Sequence, residues 1–421
     1  MSPDPSRRAF LLRAAGGAAA LPVATALARV SSLPGDAGAG EGYWRVVRAQ
    51  FAFPEEKVPL NAANLCPSPR SVAERVAELT RDIDLDCSFP AREKFGRLLE
   101  ESRAKVARYL GAQRDEVALV RNTSEANNTI NNGLPLKPGD EVVLWEENHP
   151  TNNVAWDVRA ARFGIVVRRV ATPARPEGVE PLVKAFTGAF GARTRVLALT
   201  HVSNLSGVRL PVKELCAAAR ARGIYVHVDG AQTAGALQVD LADMGCDSYA
   251  ASAHKWLCGP KEAGILYVRG ERVGEIWPSV VAPGWGHRVE PEVRGARKFE
   301  SLGQRDDACL AAVGTTIDFH DLVGPARVEA RVMELAAALK HGLRSAGLSL
   351  VTPGDPALSA GVSVIDVPEK ARPRVADALY REHGIAGSTS GGLRLCPHVY
   401  NTLEHVERAV RAVASLRPLM A

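Results

Sequence analysis

At 421 residues the chain is longer than one ordinary hydrophobic core and suits two domains. Hydrophobic residues make up 46% and charged residues 24%, the balance of a globular chain and not of a disordered one. The formal charge of +5 is small for this length and no block of lysines and arginines tracks a phosphate backbone, which argues against nucleic acid as a partner.

Residues 1–28 read as a leader. Ser6-Arg7-Arg8-Ala9-Phe10-Leu11-Leu12, the nearly uncharged stretch from Ala14 to Ala28 and the small-residue site Ala26-Leu27-Ala28 resemble a twin-arginine export signal. The apolar run is broken by glycines and Pro22 and is short for a spanning helix. The resemblance implies the twin-arginine translocase as a partner, a periplasmic or extracellular destination, and no membrane attachment after cleavage. Residues 29–42, rich in Gly, Ala and Ser, read as a flexible linker, and 43–60 as an N-terminal segment with a short helix from Tyr43 to about Lys57.

Residues 61–310 read as a large domain. A helical stretch from Arg92 to Tyr109 precedes seven short apolar runs: 117–120, 141–145, 165–170, 196–200, 224–228, 248–252 and 264–268. Bounded by turns such as Lys137-Pro138-Gly139-Asp140, they have the length of buried strands in an α/β sheet. From 311 to 421 helical stretches surround two weak strand signals, 348–351 and 362–367, which suits a smaller α+β domain. The seven cysteines are scattered with no Cys-x-x-Cys pair, so no metal is expected.

Two segments carry the chemistry. Val226-His227-Val228-Asp229-Gly230-Ala231-Gln232 ends one run in a carboxylate, and Ser252-Ala253-His254-Lys255 ends another in a histidine and a lysine. Neighbouring strand ends would bring both to one crevice. A lysine for a Schiff base and an acid that keeps a pyridine nitrogen protonated are what pyridoxal phosphate chemistry requires. Singly, each has an ordinary reading: a solvated lysine after a strand, an Asp-Gly turn. Together, in this order, they resemble the class V aminotransferase family, which holds cysteine desulfurases, selenocysteine lyases and isopenicillin N epimerases.

That resemblance implies the fold type I architecture of pyridoxal 5'-phosphate enzymes, with a seven-stranded, mostly parallel sheet in the large domain. It also implies Asp229 at the pyridine nitrogen, Gln232 at the ring hydroxyl, Ser252 and His254 at the phosphate, and Lys255 as the cofactor's anchor. Arg121-Asn122-Thr123-Ser124-Glu125-Ala126 opens a helix with Thr123 or Ser124 as N-cap, either a plain cap or, as in the family, the phosphate loop. His149, in Glu147-Asn148-His149-Pro150, is either a surface histidine in a turn or, as in relatives with a following tryptophan (here Trp156), a ring that stacks on the cofactor and moves protons. In His201-Val202-Ser203-Asn204, Asn204 would bond the ring hydroxyl or the substrate carboxylate, and His201 is either a site residue or a buried histidine.

Arg394, in Arg394-Leu395-Cys396-Pro397-His398-Val399-Tyr400-Asn401, matches the family's arginine for the substrate α-carboxylate, a task its planar guanidinium suits. Leu60-Asn61-Ala62-Ala63-Asn64 resembles the family's opening segment and adds Asn64 as a candidate substrate contact. The stretch from Lys298 to Asp306 resembles one that supplies a phosphate contact from the partner subunit; relatives have threonine where this chain has Gln304. It implies a homodimer with a shared active site.

The resemblance implies an amino-acid substrate, an external aldimine and an α-carbanion formed by Lys255. Sulfur transfer needs a cysteine on the loop before Arg394, and His383–Gly392 holds none. The pattern over residues 55–415 is more similar to the isopenicillin N epimerase-like branch, so epimerisation is expected first. β-Elimination on a cysteine conjugate (a C–S lyase) follows, then transamination, with a non-catalytic binding protein as the reading from another class. His149 and His201 are candidates for a second acid.

Overall fold

The structure, a computed structural model, describes residues 40–173, 176–282 and 294–420. The leader at 1–28 and residues 29–39 of the linker lie outside the described residues.

The first part of the chain forms α1 (Glu41–Arg48), β1 (Val58–Pro59), α2 (Arg70–Leu85), α3 (Phe89–Tyr109), β2 (Val117–Val120), α4 (Thr123–Gly133), β3 (Glu141–Trp145) and α5 (Pro150–Phe163). There follow β4 (Val166–Val170), α6 (Val179–Gly188), β5 (Thr194–Thr200), α7 (Val212–Arg220), β6 (Tyr225–Asp229), β7 (Ser248–Ser252) and β8 (Gly264–Val268). The last part holds α8 (Asp307–Val323), α9 (Pro325–Ser345), β9 (Ser363–Ile365), α10 (Arg372–His383), β10 (Ile385–Ala386), β11 (Leu393–Leu395) and α11 (Leu403–Ser415).

All seven apolar runs are strands of one sheet, ordered β2-β8-β7-β6-β5-β3-β4. Only β8 runs against the others, as its antiparallel pairing with both β7 and β2 shows. The runs are continuous because β2, β3, β6, β7 and β8 are buried along their whole length. Edge strand β4 has the sequence Val-Val-Arg-Arg-Val and is mostly exposed, so charge blunts an edge open to pairing.

Helix α1 starts inside the stretch read as linker and stops well short of Lys57. Its Tyr43, Trp44 and Val47 bury against Phe319, Val328 and Val332, and the chain then turns into β1. Val58 and Pro59 pair in parallel with Ile385 and Ala386, which ties the N-terminal segment to the last part of the chain. Helix α8 runs through position 311, the boundary expected between two domains, and packs on α3 and α2. Of the weak strand signals, 362–367 contains β9, paired with β11, while 348–351 supplies a single bridge, Leu350 to Ile365. Among the described residues no helix is long and apolar enough to cross a membrane.

Candidate active site

Five strands that run the same way, β2, β3, β5, β6 and β7, end at one cavity of about 250 Å³. Its lining gathers Thr123, Ser124 and Asn127 after β2, His149 after β3, Asn204 after β5, Asp229 and Gln232 at β6, and Ser252, His254 and Lys255 at β7. Asn64 joins from the opening segment. Ligands of open α/β sheets sit in such a crevice at the carboxyl ends of the strands. Gly230 after Asp229 is not there for a turn: a Cβ on it would lie 1.8 Å from the Tyr249 ring carbon Cζ, so only glycine admits that ring beneath the site.

Burial pulls the Lys255 ammonium below its ordinary pKa, the Asp229 charge opposes that, and Arg394 adds to it. Asp229 is 2% exposed and accepts from Asn127 Nδ2 at 2.9 Å and from the Ala231 amide at 3.0 Å. His149 sits below its ordinary pKa through burial first and the Lys255 charge second, with Asp229 opposing. Its Nδ1 accepts from the Thr151 amide at 3.3 Å, which leaves the ring proton on Nε2. Trp156 is a fully buried core residue of the sheet's outer cluster and lies outside the lining.

The N-cap of α4 is Asn122, whose Oδ1 accepts from the Glu125 amide at 3.0 Å, so neither Thr123 nor Ser124 caps it. Thr123, at the first helical position, instead bonds Ser252 Oγ through its amide at 2.9 Å and its hydroxyl at 2.6 Å. Hydroxyls at a helix start, where backbone amides point outward, make an anion site. Burial and the charges of Lys255 and Lys261 push His254 down to about 4, so its ring is neutral, and its buried Nδ1 has no partner among the described residues.

Gln232 is locked. Trp256 Nε1 donates to its Oε1 at 2.8 Å and its Nε2 donates to the Ala63 carbonyl at 3.0 Å, which leaves one amide hydrogen for the cavity. Arg394 lies behind the lining, 3% exposed, and donates to the Asn204 carbonyl at 3.0 Å and to Asn61 Oδ1 at 3.3 Å. Its Nε, Asn204 Oδ1 and Thr200 Oγ1 are buried with no partner among the described residues.

Three expectations need correction or placing. His201 is absent from the lining, and burial drives it to about 3, so it is a neutral core histidine and not an acid. Asn64 lines the cavity, and Asn61 of the same segment bonds Arg394. Gln304 is exposed, accepts from Arg92 at 3.2 Å and donates to the Arg305 carbonyl at 3.0 Å; within one chain it does not reach the cavity.

The sequence reading missed Asn127, Asn61, Thr151 and Thr200. Only Asn127 left a signal, four residues after Thr123 on one helix face. It also missed a thiol cluster: the ligand atoms of Cys66, Cys258 and His398 all lie within 4.8 Å of one another, and the Tyr400 hydroxyl donates to Cys66 Sγ at 3.3 Å.

An amine, a carboxylate, a hydroxyl-rich helix start and several orphaned polar atoms around one cavity fit the aldehyde, ring nitrogen, phosphate and polar edge of pyridoxal phosphate. The comparisons with known proteins agree with that fit. The family description "Aminotransferase class-V" matches residues 86–417. Isopenicillin N epimerase of Amycolatopsis lactamdurans is 33% identical over 394 residues, covering 89% of this chain and 98% of the relative. A probable cysteine desulfurase of Methanothermobacter thermautotrophicus is 29% identical over 389 residues, 86% of this chain and 95% of the relative. Among solved structures, a mutant of the cystine C–S lyase C-DES with glycine covalently linked to its PLP cofactor superposes with a TM-score of 0.80 at 23% identity. It covers 87% of this chain and 98% of that one, a likeness of fold. The chain belongs to the class V aminotransferase family of pyridoxal-phosphate-dependent enzymes and has the fold type I architecture.

Proposed function

We propose that the chain anchors pyridoxal phosphate on Lys255 and inverts the α-carbon of an amino acid, an isopenicillin N epimerase-like reaction. The observation that carries this reading is the cavity itself: Lys255 and Asp229 face it together, Arg394 stands behind it with an open Nε, and among the described residues no thiol lines it. The 33% identity to an isopenicillin N epimerase along nearly that enzyme's whole length supports the same branch.

Bound pyridoxal phosphate supplies an aldehyde for amines and a ring that withdraws electrons from the α-carbon. Arg394 holds the α-carboxylate with two parallel hydrogen bonds, and the open Asn204 Oδ1 accepts from a donor such as the cofactor's ring hydroxyl. Asp229 keeps a proton on the ring nitrogen. Lys255, its ammonium pKa lowered by burial, more readily exposes a neutral amine that takes the α-proton. Inversion then needs a proton returned from elsewhere; His149, with its proton on Nε2, is a titratable donor of the lining besides Lys255 and the phosphate-end His254. Thr123, Ser124, Ser252 and His254 hold the phosphate end. We further propose that residues 1–28 direct export by the twin-arginine route and that Gln304 serves the site of a second copy in a homodimer.

A panel of L- and D-amino acids and cysteine conjugates in heavy water tests the reaction. Deuterium at the α-carbon with inverted product is expected. Pyruvate with ammonia would replace the reading with elimination, and a keto acid with transamination. Colourless protein with no spectral change on borohydride reduction would make it a binding protein. For export, Arg7→Lys with Arg8→Lys should retain the protein in the cytoplasm, and unchanged secretion would overturn that reading.

A further inference from the structure

A hydrogen-bonded chain of four side chains ends on Asp229. Ser248 Oγ lies 2.7 Å from His227 Nδ1, His227 Nε2 lies 2.9 Å from Asn127 Oδ1, and Asn127 Nδ2 donates to Asp229 Oδ2 at 2.9 Å. All four residues are at most 2% exposed, so none of these groups can trade its partner for water. Three separate elements build the chain. His227 and Asp229 alternate onto one face of β6, Ser248 is the cross-strand partner of His227 on β7, and Asn127 hangs from the first turns of α4.

The chain admits one distribution of hydrogens. Asp229 as a carboxylate accepts only, so Asn127 must turn its amide nitrogen toward it and its carbonyl oxygen toward His227. That oxygen requires a proton on His227 Nε2. Nδ1 of the neutral ring is then an acceptor, satisfied by the Ser248 hydroxyl. Every donor in the row points toward Asp229. A flipped Asn127 would set carbonyl oxygen against carboxylate, a buried clash of acceptors. Burial pushes His227 down to about 4, with the Asp229 charge opposing, so the ring stays neutral and brings no rival cation to Asp229.

Resting on the function proposed above, we propose that His227 and Asn127 are positioning residues: they hold the Asp229 carboxylate oriented so that it keeps the ring nitrogen of the bound cofactor protonated. The Ala231 amide on Oδ1 fixes the carboxylate's other oxygen and shows why two anchors suffice to stop its rotation.

The test uses the holoenzyme loaded with cofactor carrying ¹⁵N in the ring, whose shift reads nitrogen protonation directly, with cofactor affinity as a second measure. His227→Leu and Asn127→Leu should move the ring-nitrogen signal toward the unprotonated position and weaken cofactor binding about 10-fold, the scale of one hydrogen bond to a charged group. His227→Gln, which keeps a donor for Asn127, should return the signal toward the wild type, an outcome a packing role would not produce. Ser248→Ala, which shortens the chain by its outermost member, should give a smaller shift and keeps the idea testable if the leucine variants do not fold. Folded variants with an unchanged ring-nitrogen signal would overturn the relay alone. Wild-type protein that takes up no cofactor would overturn the functional reading beneath it.

Discussion

Two buried charged regions of this molecule look alike in composition and differ in what their charges touch. Beside β2, Arg103 donates to both oxygens of Glu300, to Glu100 at 3.0 Å and to the Val117 carbonyl at 2.8 Å. Arg297 closes the group on Glu100 at 2.6 Å and on Asp115 at 2.7 Å. Each named charge has a geometric partner, and hydrogen bonding from Arg297 holds Glu100 down at about 2. At the strand ends the reverse holds. His254 Nδ1, Asn204 Oδ1, Thr200 Oγ1 and Arg394 Nε are buried and open, and Lys255 is depressed chiefly by burial. A network that satisfies itself is holding the fold; groups left open at a cost await a ligand.

The sharpest break of that contrast comes from Lys255. Lys255→Ala should lower turnover by about 10⁴-fold or more, the upper scale of a positioned proton-transfer group, and abolish the absorbance of the imine that the Lys255 amine would form with the cofactor's aldehyde. Its melting temperature without cofactor should stay level or rise, since a buried amine is removed. Full retention of that absorbance would take the anchor role from Lys255. The network should answer in the opposite currency. Arg103→Ala leaves Glu300 only the Leu119 amide and Arg305 and should cost about 1–3 kcal/mol of stability, the scale of lost hydrogen bonds to a charged group. Turnover per folded molecule should be unchanged. Urea unfolding and active-site titration separate the two, and a stable but inactive Arg103→Ala would show that the network also serves the site.

Arg394 lies between these extremes, because two of its donors are spent on Asn204 and Asn61 while Nε is open. Arg394→Lys keeps the charge and loses the planar fork. KM for the amino acid should rise about 10–100-fold, the value of hydrogen bonds to a charged group, with melting changed far less. An unchanged KM would assign the carboxylate to another residue.

Much of this arrangement was legible before any coordinates. The seven strands announced themselves because burial on both faces demands continuous apolar runs, and Asp229 and Lys255 stood out because each ends such a run. Pairing was not legible. Nothing in the spelling of Arg103 or Glu300 says that they meet across 197 residues, and nothing in Arg394 says that it meets Asn61. Local turns also misled: Asn122 outcompetes Thr123 for the cap because Thr123 is engaged by Ser252, a contact from another strand. His201 was open between a site residue and a buried histidine, and its burial away from the lining decides for core.

Acid should dissolve the two regions in sequence. His254 sits near 4 in the folded chain against an ordinary 6.5, so between those values the unfolded chain binds more protons. Stability is therefore lost as pH falls through that window. Glu100, near 2 when folded and ordinarily 4.5, contributes stability that is complete above 4.5 and lost only as pH falls toward 2. From pH 6.5 to 4.5 the loss should come from His254 at the strand ends together with the buried core histidines His201, His227, His320 and His398, while the network still holds. His254→Gln, measured without cofactor, should flatten the slope of unfolding free energy against pH in that window. The effect should be on the order of 1 kcal/mol, because solvent reaches the half-buried ring. An identical slope in variant and wild type would mean that His254 is already solvated in the cofactor-free cavity, and that its open Nδ1 is satisfied by water.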